Sequence, residues 1–243
     1  MKKINSALNQ FSKLIAIILL ISCATEKEQE IDYEKEFYSI VNEFEKSSIL
    51  EFDASEYIDD KFFLSFIEKI DEQKLIFLQS DINSLQDESF KSDSSQYKKI
   101  RRIVNLYYDR YTDSLKKRKR FLRWHKFNFD TVEYIDLNVR SDFFNDEDEK
   151  DEYQRKIVKN EILNLLLTGS EIKEAKKELI ELYNDRISSL SKIRESDKFG
   201  FMANSLLSML DPHASYFSDR DLENWNLRMN LSFEGIGAIL SYE

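Results

Sequence analysis

Apolar residues recur at intervals of three and four positions along most of the chain, beginning at Tyr33. That spacing places them on one face of an α-helix, so each run predicts an amphipathic helix with one side in the core. The longest run consists of Ile100, Ile103, Val104, Tyr107, Tyr108, Tyr111, Leu115 and Leu122. Shorter runs with the same spacing begin near Phe37, Phe62, Ile157, Ile172 and Phe199. We expect a multi-helix domain over residues 33–210, with its longest helix around residues 100–122.

Several residues mark where these helices begin and end. Gly169 directly follows one apolar run, as a glycine at a helix C-terminus does. Ser196 and Asp197 precede another run and predict its N-cap. That run stops at Asp211-Pro212, because a proline disfavours helical backbone in the residue before it.

The helical pattern lapses between Phe127 and Glu152. This stretch contains the acidic run Asn145 to Glu149, which we interpret as a solvated loop. A calcium-binding EF-hand loop requires alternating oxygen ligands and a glycine at its sixth position, and this run has no glycine. No metal site is therefore predicted here.

The composition supports a mainly α fold. The chain of 243 residues has only four glycines and one proline, too few for the many turns of a β protein. One cysteine and two histidines exclude an internal disulfide and a multi-cysteine metal site. We expect no cofactor.

The charge distribution argues against nucleic acid as a partner. The net charge is −10, and nucleic-acid binding normally needs a basic surface. One basic stretch, Lys116 to Arg120, is followed by Trp124 and could contact nucleic acid or anionic lipid. It lies at the C-terminal end of a predicted helix, where the helix dipole favours cations and the acidic remainder of the chain can pair with them. We interpret it as structural.

The N-terminus has the order of an export signal. Lysines within residues 1–13 precede the apolar run Leu14 to Ile21, which is shorter than the roughly 20 residues of a spanning helix. Ser22-Cys23 ends a segment that resembles the lipobox of bacterial lipoproteins. The resemblance implies a signal peptide over residues 1–22, acylation of Cys23, a tether over residues 23–32, and insertion of the acyl chains into a membrane. The alternative is a buried free cysteine.

The residue after the cysteine bears on location. Ala24 follows Cys23, and aspartate is absent from that position. By the sorting rule of enteric lipoproteins, this implies the periplasmic face of the outer membrane, with the inner membrane as the alternative.

Asp211, His213 and Ser215 bring an acid, an imidazole and a hydroxyl within five residues. A catalytic triad needs the imidazole between the other two groups, and its members normally come from separate elements. Alternate residues of an extended segment lie side by side, so this spacing gives no relay geometry. A helix end followed by a turn explains the segment.

The stretch from Asp211 to Leu240 contains two motifs, D-P-H-A-S-Y and L-S-F-E-G-I-G-A-I-L. In order and separation they resemble the junction between the N-terminal helical domain and the PDZ domain of tail-specific proteases. Weaker likeness extends back to Leu167-Thr168-Gly169 and Leu78-Gln79-Ser80-Asp81. The resemblance implies a helical domain over residues 33–210, a junction over 211–230, and the start of a PDZ domain over 231–243.

The same resemblance assigns a role to Gly235, Ile236, Gly237 and Ala238. In a PDZ domain such a loop binds a peptide's terminal carboxylate through converging backbone N–H groups, and the next strand pairs with the peptide. The expected partners are protein substrates recognised by their C-terminal tails. A plain tight turn is the alternative for a G-x-G segment.

The family cleaves with a serine nucleophile and a lysine base that lie downstream of the PDZ domain. No residue of the 243 matches either one, so we expect this chain to be inactive alone. The resemblance implies the N-terminal portion of a lipid-anchored periplasmic serine protease that degrades proteins from their C-termini. The alternative is a stand-alone helical lipoprotein that acts as an adaptor or scaffold.

Overall fold

The computed structural model describes residues 31–48, 53, 57–87, 90, 95–136 and 138–230. Contacts divide the chain into two units, Met1–Glu36 and Phe37–Glu243. Of the first unit only residues 31–36 are described, where Asp32 accepts the backbone N–H of Lys35 at 3.2 Å and a helix begins. The rest of the fold belongs to the second unit.

The described residues form eight α-helices. Their bounds are α1 Tyr33–Ser47, α2 Asp60–Ile70, α3 Gln79–Ser84, α4 Gln96–Trp124, α5 Glu147–Leu167, α6 Ile172–Ser191, α7 Glu195–Leu210 and α8 Asp219–Asn230. Over the same residues, the recorded β pairing is one isolated parallel bridge between Leu78 and Phe144. The prediction of a mainly α fold is confirmed. None of these helices has both the length and the apolar content needed to cross a bilayer.

Helix α4 is the longest described helix, as its apolar stripe predicted, and it contributes to two parts of the core. Its first half packs against α2 and α7. Buried side chains from the three helices meet there: Phe66, Ile67, Ile100, Ile103, Val104, Phe199, Met202 and Leu206. Tyr107 stacks on Phe201 of α7 with ring centroids 5.8 Å apart. Burial of these large apolar groups stabilises this half.

The second half of α4 packs against α5 and α6. The buried cluster between them consists of Leu115, Leu122, Val158, Ile162, Ala175, Leu179 and Tyr183. Helices α5 and α6 form an antiparallel hairpin, in which the Tyr183 hydroxyl bonds to the Glu161 carboxylate. Two ion pairs show that helices α4 and α5 run in the same direction. Arg110 pairs with Glu147 near the start of α5, and Arg118, further along α4, pairs with Glu161, further along α5. A long connection must therefore bring the chain back between them.

That connection is the return segment, residues 125–146. Polar contacts hold it against α5, since Glu133 accepts hydrogen bonds from Arg155 at 2.5 Å and from Lys159 at 2.8 Å. The Tyr153 hydroxyl donates to the backbone carbonyl of Asp136 at 3.1 Å. The described residues of the segment, 125–136 and 138–146, form no helix, in agreement with the lapse in its apolar pattern.

The interpretation of Asn145 to Glu149 as a loop is wrong for most of the run. Asp146 is the N-cap of α5 and accepts the backbone N–H of Glu149 at 2.8 Å. Glu147, Asp148 and Glu149 form the first turn of the helix. Acidic side chains are favoured at this position because they face the positive end of the helix dipole and its unpaired N–H groups.

The other predicted helix ends are partly confirmed. Gly169 has a φ of +99° and closes α5 with two bonds, from its own N–H to Leu166 and from the N–H of Ser170 to Leu165. The predicted N-cap at Ser196-Asp197 is wrong, since α7 begins at Glu195 after the N-cap Arg194. Asp197 lies in the first turn and accepts the Arg194 N–H at 3.0 Å. Helix α7 ends at Leu210, as Asp211-Pro212 predicted.

Candidate functional site

The segment that follows α7 begins with a turn at Asp211. The Asp211 carboxylate accepts the backbone N–H of His213 at 2.8 Å, and its carbonyl accepts the N–H of Ala214 at 3.0 Å. His213 and Ser215 are exposed. The Asp211 carboxylate thus bonds to the backbone of a turn. Asp211, His213 and Ser215 are therefore not arranged as a catalytic triad.

Beyond the turn, one side chain holds the extended segment against α7. The Asn204 amide accepts the backbone N–H of Tyr216 at 2.8 Å and donates to the Tyr216 carbonyl at 3.1 Å. We call this pair of bonds the Asn204 clasp. The Tyr216 ring also packs edge-on against the Phe199 ring, with centroids 5.4 Å apart. The backbone N–H and carbonyl of Tyr216 both bond to this one side chain, so the path of the segment is fixed at this residue.

The next residues start α8. The Ser218 hydroxyl caps the helix by accepting the backbone N–H of Asp221 at 3.2 Å, and it donates to the Asp221 carboxylate at 2.6 Å. Such a cap fixes where the helix begins. The Asn204 clasp and this cap together set the position from which α8 departs.

Helix α8 exposes large apolar side chains. Trp225 is 46% exposed and Met229 61%, and Leu222 is exposed to a similar degree, as is Phe217 just before the helix. A cleft of about 410 Å³ lies between the helix and the clasp, lined by Asn204, Ser215, Tyr216, Phe217, Asp221, Asn224, Trp225 and Arg228. An amphipathic helix with its apolar face uncovered is suited to contact further polypeptide.

The segment Leu78-Gln79-Ser80-Asp81 forms the start of α3 and joins three parts of the domain. Asp81 accepts the backbone N–H of Leu78 at 2.9 Å and a hydrogen bond from Arg110 of α4 at 2.6 Å. The N–H of Gln79 donates to the carbonyl of Phe144 in the return segment at 2.8 Å. The weak sequence likeness here thus coincides with a structural junction.

A second buried carboxylate was not identified from the sequence. Asp71, which is 4% exposed, accepts the backbone N–H groups of Leu75, Ile76 and Phe77 at 2.9, 2.9 and 3.0 Å. These bonds stabilise the charged carboxylate away from water and shape the turn between α2 and α3.

Three of the five residues in the basic stretch of α4 form ion pairs within the protein: Lys116, Lys117 and Arg118. Lys116 pairs with Asp113 at 3.2 Å, and Lys117 pairs with Glu147 and Asp151 of α5. Lys119 donates to the Asn184 side chain of α6 at 3.0 Å. The stretch therefore joins three helices.

The remaining sites predicted from the sequence cannot be placed in this geometry. Cys23 and the segment Gly235-Ile236-Gly237-Ala238 lie outside the described residues. Within the described ranges, no group of three or more histidine, cysteine, aspartate or glutamate side chains is arranged to hold a metal ion.

Comparison with known proteins identifies the family of this domain. The sequence model of the tail specific protease N-terminal domain matches residues 40–220. A segment of 86 residues is 38% identical to the tail-specific protease of Haemophilus influenzae, and it covers 35% of this chain but 12% of that relative. The match to the family model extends over most of the chain and includes α2 to α7, the turn at Asp211 and the Asn204 clasp. The chain therefore belongs to the tail-specific protease family, of which it carries the N-terminal domain.

Proposed function

We propose that this chain is the N-terminal part of a lipid-anchored serine protease that degrades proteins from their C-termini. The family match over residues 40–220 carries the proposal. In this role the helical domain acts as a rigid support, and the Asn204 clasp directs the chain toward the substrate-binding part that follows it.

Substrate recognition is assigned to Gly235, Ile236, Gly237 and Ala238. A glycine-rich turn lets consecutive backbone N–H groups converge on a terminal carboxylate, and a following strand can pair with an extended peptide. The exposed apolar side chains of α8 lie just before this segment in the sequence. The proposal therefore assigns the binding of protein tails to the region after the helical domain.

Cleavage is assigned to residues outside the helical domain. A Ser–Lys pair needs a lysine of lowered pKa beside a free hydroxyl. Burial lowers the pKa of Lys150, but its Nζ donates to the carbonyl of Ile76. The nearby Ser114 is buried and donates its hydroxyl to the carbonyl of Arg110 at 2.9 Å. Both groups are engaged with backbone, which supports a structural role for them.

The membrane attachment is assigned to Cys23. Acylation of the cysteine after signal cleavage would anchor the domain to the outer membrane through the tether of residues 23–32. Labelling of cells with a palmitate analogue tests this: we expect label on the wild-type protein and none on Cys23→Ser. Label on Cys23→Ser, or an unlabelled wild type, would overturn the anchor while leaving the protease proposal intact.

The protease function is tested at the level of the gene and the protein. We expect the reading frame to continue past the codon for Glu243 into a PDZ domain and a serine–lysine core. The product of that frame should cleave an unstructured substrate with a free C-terminal tail and spare the same substrate with an amidated tail. The isolated 243 residues should cleave neither. A stop codon after Glu243, with no catalytic frame beside it, would support the adaptor instead.

A further inference from the structure

A second surface of the domain is a groove between α4 and α5 that the proposed function does not use. Its volume is about 520 Å³, and six cationic and three acidic side chains line it. The chain as a whole carries a net charge of −10, so this groove is locally opposite in charge to the rest of the protein. A concave basic surface on an acidic protein attracts anions.

The acidic side chains of the groove are already occupied by ion pairs. Glu147 pairs with Arg110 at 3.0 Å, Asp151 pairs with Lys117, and Asp113 pairs with Lys116. Three cations of the lining remain without an acidic partner among the described residues: Lys119, Arg120 and Lys150. The carboxylates of the domain therefore neutralise the positive charge of the groove only in part.

Two hydrogen-bond donors in the lining have no acceptor in the part of the chain that the structure describes. They are Nε of Arg110 and Nε2 of Gln154, both buried. Gln154 is 1% exposed, and its Oε1 accepts a bond from Nε of Arg118, so the orientation of its amide is fixed with the NH₂ group unpaired. A buried donor without an acceptor is destabilising, and folded proteins rarely leave one.

We propose that this groove is a binding site for a carboxylate of an acidic peptide. A carboxylate carries a negative charge that complements Lys119 and Arg120, and the unpaired N–H groups of Arg110 and Gln154 beneath the surface add to the positive potential that it meets. A neutral group such as a peptide carbonyl would leave that positive charge unbalanced. The groove shares no lining residue with the segment proposed to bind protein tails, and its test does not depend on protease activity.

The experiment measures binding of labelled peptides to the purified chain by fluorescence anisotropy. The probes are a Glu-rich peptide with an amidated C-terminus, its Gln-rich counterpart with an amidated C-terminus, and the Gln-rich peptide with a free C-terminus. We expect the Glu-rich peptide to bind and the amidated Gln-rich peptide not to bind. Binding of the free-terminus peptide would show that a terminal carboxylate also suffices. Affinity should fall as salt rises.

Two variants locate the site. Gln154→Glu keeps an oxygen for Arg118, removes the unpaired donor and adds a repelling charge, so it should weaken binding by at least about tenfold. Arg120→Gln changes an exposed side chain and should weaken it by about threefold. Asn164→Asp is the matched control, because it adds the same charge on α5 at an exposed position outside the lining. It should change the affinity less than about twofold.

The proposal is overturned if the Glu-rich peptide does not bind. It is also overturned if the Glu-rich and amidated Gln-rich peptides bind equally, or if Gln154→Glu and Asn164→Asp have the same effect. Thermal unfolding of each variant separates lost binding from lost structure. If Gln154→Glu fails to fold, Arg120→Gln decides the matter alone, because its side chain is exposed.

Discussion

The side-chain amide of Asn204 forms hydrogen bonds in both directions with the backbone of Tyr216, accepting its N–H at 2.8 Å and donating to its carbonyl at 3.1 Å. The amide presents the same donor and acceptor as the peptide group of a neighbouring strand. A single residue of α7 thus replaces a strand partner for the segment that leaves the helical domain.

Removal of the clasp should loosen that segment without unfolding the domain. Asn204→Ala leaves the Tyr216 N–H to water, and we expect faster hydrogen exchange at Tyr216 and faster proteolysis within residues 211–218. The loss of stability should be about 1 kcal/mol, because the bonds are solvent-exposed. Asn164→Ala, at an exposed asparagine of α5, is the control. Unchanged exchange at Tyr216 in Asn204→Ala would show that the clasp does not hold the segment.

The Asp81–Arg110 pair should contribute more to stability than an exposed ion pair. Asp81→Asn removes the negative charge that lies 2.6 Å from the partly buried Arg110 guanidinium, so urea denaturation should show a loss of about 2 kcal/mol. Glu181→Gln disrupts the exposed Lys177–Glu181 pair and should cost less than about 0.5 kcal/mol. Equal effects of the two substitutions would contradict the structural role of Asp81.

Replacement of each of the two described glycines by alanine should have opposite effects on the stability of the protein. Gly169 has a φ of +99°, which an L side chain rarely adopts, so Gly169→Ala should destabilise the protein by about 1 kcal/mol. Gly200 lies within α7 with open space at its Cβ position, so Gly200→Ala should stabilise it by about 0.5–1 kcal/mol. Thermal or urea unfolding measures both. A destabilised Gly200→Ala would mean that α7 needs this glycine for another reason.

Glu133 should make stability depend on acidic pH. Hydrogen bonds from Arg155 and Lys159 lower the pKa of its carboxyl from 4.5 to about 2. A lowered folded pKa adds stability that is present above the unfolded value near 4.5 and is lost as the pH falls toward about 2. Glu133→Gln should therefore have a lower melting temperature at pH 7, and its difference from the wild type should shrink below pH 4.5.

The matched control for this pH effect is Glu174→Gln, at an exposed glutamate of α6. If the pH profile of Glu133→Gln paralleled that of Glu174→Gln, the contact between the return segment and α5 would not be responsible. Because the contact is partly exposed, the effect should also diminish at high salt.

The long helices could be predicted because their burial pattern is local. The stripe from Ile100 to Leu122 recurs at helical spacing along α4, and its residues are buried or partly buried. The prediction of a loop at the start of α5 is wrong because acidic residues are common both in solvated loops and in the first turn of a helix. The two cases differ in the N-cap bond of Asp146, which sequence spacing alone does not reveal.

The sites depend on contacts that sequence spacing reports poorly. The junction was found through its D-P-H-A-S-Y motif, but the residue that holds it, Asn204, precedes Tyr216 by 12 positions and has no distinctive neighbours. Gln154, which lines the groove between α4 and α5, bonds to Arg118, 36 positions earlier in the sequence. No local pattern connects such residues, so the groove became visible only in the folded chain.

The same-direction packing of α4 and α5 has a consequence for the order of folding. Helices α5 and α6 are joined by the tight turn at Gly169, so their contacts close a short loop at a small cost in chain entropy. Contacts between α4 and α5 require the whole of residues 125–146 to double back first. We expect the α5–α6 hairpin to form early and α4 to dock on it late, so that substitutions in the return segment slow folding less than those at the Gly169 turn.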